Sequence, residues 1–78
     1  MIKRQQIAAA RALLSWNRQD LADKSGVSLR TIARFEAGEG DITASKLERL
    51  ELALTGEGVE FIDGGVRLER LRAVRRSD

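Results

Sequence analysis

The stretch RQDLADKSGVSLRTIARFEAG, from Arg18 to Gly38, leaves this chain few ways to fold. It has the pattern of two short helices joined by a tight turn. In the first, Leu21, Ala22 and Ser25 fall at i, i+1 and i+4, so one narrow edge faces inward. Ala22 is small where another helix must approach. Gly26 follows the last helical residue, where a left-handed backbone is needed and a Cβ would be strained. Ser28 has the chemistry to accept from the free amides that open the next helix. Ile32 and Phe35, three apart, form that helix's buried stripe. At about 100° per residue, Arg30 and Arg34 then share a face roughly opposite the stripe, open to a partner.

The spacing of Ala22, Gly26, Val27, Ile32 and Phe35 resembles the helix-turn-helix of the Cro/repressor superfamily, the XRE family. The flanking text fits as well, with LLSWNRQDLA before the turn and GVEFIDGGVRL after it, the latter similar to small bacterial regulators that append a β-hairpin. The resemblance covers about residues 5–68. It implies a mainly α fold: a four-helix repressor-like domain over residues 1–56, with the helix-turn-helix at 18–37, followed by a hairpin at 57–68 and a basic tail at 69–78.

The resemblance also implies roles. Ser28, Leu29, Arg30, Thr31 and Arg34 would meet base edges or phosphates, and an Arg fork on guanine O6 and N7 is worth about 1–3 kcal/mol of discrimination. Relatives usually carry a phosphate-contacting Gln where Arg18 stands, and Arg18 has the charge to do the same. Arg11 would pair with Glu36 and lock the first helix to the reading helix, since stranding one partner of a buried pair costs about 3–5 kcal/mol. Two positions depart from the pattern. Leu29 is apolar where relatives are often polar, and the loop EGDIT after Gly38 is acidic where DNA-binding relatives are basic or small. Glu39 or Asp41 held near a phosphate at about 4 Å would each cost about 1 kcal/mol in water-like screening.

Charge is distributed unevenly along the 78 residues. Residues 1–36 hold seven cations against three anions, 37–66 hold two against seven, and 67–78 hold five against two. Such a field draws a polyanion to one side of the molecule. There is no Cys and no His, which removes thiol chemistry, imidazole catalysis and the usual structural zinc sites, and suits a reducing cytoplasm. No metal, cofactor or enzyme activity is expected. The opening MIKRQQIAAARALLSW is interrupted by Arg11 and reads as a helix over 2–15 rather than a signal peptide, and nothing resembles a membrane span.

In that first helix Ile7, Ala10 and Leu14 make the inward stripe, extended by Leu13 and by Trp16 as a core plug. Asn17 is placed to cap the second helix, with Asp20 three residues on. Thr43, or Ser45 in a capping box with Glu48, begins the fourth helix. Its core residues are Leu47, Leu50 and Leu54, with Leu52 off the stripe. VEFI and VRL around Asp63, Gly64 and Gly65 predict a hairpin, marginal unless packed or paired. Val59, Phe61 and Ile62 are the candidate dimer contacts. Leu68, Leu71 and Val74 allow one or two further helical turns amid arginines, with 73–78 frayed.

The leading expectation is a sequence-specific transcriptional regulator that binds duplex DNA as a homodimer, its half-sites about 34–36 Å apart or a multiple of that. One alternative keeps the fold but turns it to a protein: an antiactivator occupying a transcription factor through Leu29, the surroundings of Phe35 or the acidic loop. Another is an antitoxin acting through the basic tail.

Overall fold

The computed structural model describes residues 2–69. Four helices come first, α1 (Arg4–Leu14), α2 (Arg18–Ser25), α3 (Leu29–Glu36) and α4 (Ala44–Thr55), and then strands β1 (Val59–Ile62) and β2 (Gly65–Leu68). This is the mainly α, four-helix architecture followed by a hairpin that the resemblance implies. The tail beyond Glu69, including Leu71 and Val74, lies outside the described residues.

Local signals set the helix ends. Asn17 Oδ1 accepts from the Asp20 amide at 2.8 Å while Asp20 Oδ2 accepts from the Asn17 amide at 2.9 Å, a reciprocal cap that opens α2. Gly26 closes it at φ 76, ψ 8, with its amide on the Ala22 carbonyl. Ser28 Oγ accepts from the Thr31 amide at 3.1 Å and starts α3 after a connection of only three residues, Gly26 to Ser28. The α4 cap is Thr43, whose Oγ1 accepts from the Lys46 amide at 3.2 Å. Ser45, followed by Glu48, has the capping-box sequence, yet the helix already begins at Ala44, so Ser45 lies inside it.

Packing follows the predicted stripes. Ile7, Leu21, Ile32, Leu50 and Leu54 are fully buried, with Ala10, Leu14, Val27 and Leu47 beside them. Each of these Ile, Leu and Val side chains contributes about 1.5–3 kcal/mol on leaving water. Trp16 and Phe35 are half-buried against this core. Leu13 is a correction: it is 41% exposed and does not extend the α1 stripe, because it sits one position before the inward Leu14.

The hairpin pairs antiparallel in the register Val59↔Leu68 to Ile62↔Gly65. Gly65 therefore belongs to β2, and the connection is Asp63 and Gly64, with Gly64 at φ 79. The hairpin packs on the helices, and Gln6 Nε2 donates to the carbonyls of both Ile62 and Gly65 at 2.9 Å, pinning the turn to α1. Strand alternation places the three candidate dimer residues differently. Val59 is 3% exposed within the monomer's own core, Phe61 is half-buried on the same side, and of the three only Ile62 is exposed, at 41%.

Candidate nucleic-acid interface

The turn between α2 and α3 presents the first turn of α3 to solvent. Ser28, Leu29 and Arg30 are exposed and Thr31 is half-buried, with Leu29 at 42%. The Ser28 hydroxyl is committed at both ends, since it caps the helix and donates to Thr31 Oγ1 at 2.9 Å. That leaves the Thr31 proton available to an outside acceptor. Arg30 has no hydrogen bond or ion pair among the described residues, so its five donors are open.

Arg34, one turn further on, is exposed but not open in the same way. Its Nη2 donates to the Glu39 carbonyl at 3.3 Å and lies over Gly40, where a Cβ would sit 3.4 Å from that nitrogen. Arg34 thus braces the acidic loop that follows α3. Glu39, Gly40 and Asp41 are all exposed. The structure therefore brings Ser28, Leu29, Arg30 and Thr31 together at one helix end and turns Arg34 toward the loop.

At the other end of α3, guanidinium groups gather on Glu36. Arg11 grips the carboxylate with two bonds, Nε to Oε2 at 2.8 Å and Nη2 to Oε1 at 2.6 Å, and its Nη1 donates to the Trp16 carbonyl at 3.1 Å. The Glu36 side chain is 2% exposed and that of Arg11 15%. Arg18 joins the same carboxylate, its Nε on Oε1 at 3.0 Å, while its side chain stays 47% exposed. Arg4 Nη1 donates to the Glu36 main-chain carbonyl at 3.2 Å, at the end of α3 where carbonyls lack helical partners. Sequence reasoning missed Arg4 and the second cation on Glu36. Arg4 does lie seven residues before Arg11, two turns along one face of α1, which is the signal that was available.

Among the described residues no group of His, Cys, Asp or Glu is arranged to hold a metal ion, and no helix is long and apolar enough to cross a membrane. The family model described as helix-turn-helix matches residues 7–61. The chain belongs to this helix-turn-helix family. Membership makes it a helix-turn-helix protein of a regulatory, DNA-binding family, one not typically enzymatic. No curated protein matches the chain. In this helix-turn-helix protein the matched span runs from Ile7, the first fully buried residue of α1, to Phe61 in β1, so the family pattern takes in the core and the first strand.

Proposed function

We propose that this helix-turn-helix protein is a sequence-specific transcriptional regulator of duplex DNA, with α3 entering the major groove. The observation that carries the reading is Arg30, a fully available guanidinium on the exposed first turn of α3, beside the unspent Thr31 hydroxyl proton. An Arg so placed suits bidentate contact with guanine O6 and N7. Arg18, at the first position of α2, supplies a contact to the DNA backbone, and Leu29 offers an apolar surface to a thymine methyl. Arg34 supports α3 by holding the loop through one Nη2 bond to the Glu39 carbonyl, and its remaining donors stay available to DNA.

A module of this size reads few base pairs, so the working form is a homodimer on two half-sites about 34–36 Å apart or a multiple of that. Exposed Ile62 is the hairpin residue free to contribute to such a contact. The test binds a duplex library at two salt concentrations. Arg30→Ala should lose sequence preference while keeping non-specific, salt-dependent affinity, and equal preference in variant and parent would refute the assignment.

A second reading has its own support, the exposed Leu29 at the start of α3 and, past the other end of that helix, a loop with two exposed carboxylates, Glu39 and Asp41. It makes the protein an antiactivator that occupies a transcription factor. Absence of any duplex binding at low salt, with a stable complex to a purified factor, would favour it.

A further inference from the structure

We infer that the cleft between the start of α1 and the loop after α3 is a binding site for a small amphipathic organic anion, an acyl or aromatic carboxylate. The cleft holds about 590 Å³, within the usual range for small-molecule sites. Its apolar lining converges from four separate parts of the chain: Ile2 ahead of α1, Phe35 on α3, Ile42 in the loop and Leu47 on α4. Leu47 is buried, whereas the other three are half-buried, so each still shows apolar surface to water after packing against the core. Covering that surface is favourable in proportion to its area.

Charge decides what kind of molecule covers it. Lys3 and Arg4 border the cleft on one side and Asp41 on the other, two cations against one anion. The Lys3 ammonium has no hydrogen bond or ion pair among the described residues, and Arg4 spends one bond, from Nη1 to the Glu36 carbonyl. A molecule with an apolar body and one carboxylate satisfies both halves of the site, its hydrocarbon against Ile2, Phe35 and Ile42 and its charge toward Lys3. A cationic amphiphile meets the same apolar lining with the wrong sign of charge. A protein partner is less suited, since a standard interface takes about 20–30 residues a side and nine border this cleft. The cleft meets α3 at Phe35, in its last turn, away from Leu29 and Arg30 in its first, so binding there needs no DNA and does not depend on the DNA-binding reading.

The test titrates the full chain with octanoate and, at matched concentrations, with octylammonium, following backbone and methyl shifts by NMR at low salt. Octanoate should saturate, with its largest shifts at Ile2, Phe35 and Ile42, and octylammonium should bind about 10-fold more weakly. Lys3→Glu reverses the unpartnered cation. Lys3 is exposed and immediately precedes α1, where a carboxylate suits the helix start, so the fold is kept. This variant should weaken octanoate about 10-fold, and Asp41→Asn should tighten it about 3-fold. The inference is overturned if octanoate does not saturate, if the two amphiphiles bind alike, or if Lys3→Glu keeps the parental affinity. Shifts at the same residues that follow protein concentration instead of octanoate would put a second copy in the cleft and overturn it as well.

Discussion

Replacing Arg11 with Ala tests how far the buried carboxylate governs the fold. The substitution deletes two bonds to Glu36, at 2.6 and 2.8 Å, and one to the Trp16 carbonyl at 3.1 Å. It leaves a carboxylate at 2% exposure with one remaining cation, Arg18, whose own side chain is half in water. Breaking a buried pair by removing one partner costs about 3–5 kcal/mol. Arg18 still neutralises part of the charge, which places the expected loss near the lower end, about 3 kcal/mol. For a domain of this size that corresponds to a Tm lower by roughly 12–24 °C, against a total stability of about 4–12 kcal/mol.

Urea denaturation followed by circular dichroism measures the loss, provided the slope with denaturant stays constant. The double variant Arg11→Met with Glu36→Leu should be more stable than Arg11→Ala alone, because it removes the stranded charge along with its partner. A loss below about 1 kcal/mol for Arg11→Ala would refute the reasoning, since it would give the pair the weight of a surface salt bridge.

Two further outcomes concern the backbone and a third the hairpin surface. Gly26→Ala should cost about 1–2 kcal/mol from the left-handed backbone alone, since nothing lies within 4 Å of the added Cβ. Gly38→Ala should cost more by the same denaturation assay, because φ is +77 and the Cβ would stand 3.1 Å from Arg4 Cζ. On the hairpin, a hydrogen bond from Arg67, at 2.6 Å, and then its charge hold the Glu60 carboxyl below its usual value of 4.5. A group depressed in this way stabilises the fold above the unfolded carboxyl value and loses that contribution as pH falls through the lower folded one. An NMR titration should therefore find the Glu60 midpoint below the usual Glu range, with Arg67→Ala moving it back up.

Where a signal and its consequence lie within a few residues, the chain is legible. Gly26, Ser28 and Ile32 have separate steric duties within seven positions, and each adopts the predicted place. The core leucines of α4 follow for the same reason. Strand faces are harder: VEFI alternates, but alternation does not tell which side meets the helices, and Val59 proved to be core. Charges are harder still. Arg18 has Asp20 and Asp23 close by in sequence, yet its partner is Glu36, eighteen positions on, reachable only once α2 and α3 have packed. Arg34 turns to a main-chain carbonyl, an acceptor that every residue offers and no pattern of residue types marks. The consequence bears on function. Arginines counted along the sequence have equal standing as ligands for DNA, but folding spends them unequally: Arg11 is locked, Arg18 is half-committed, and Arg34 braces a loop. Arg30 alone of these keeps its whole fork, so base selectivity should concentrate on that one side chain and the few atoms around it.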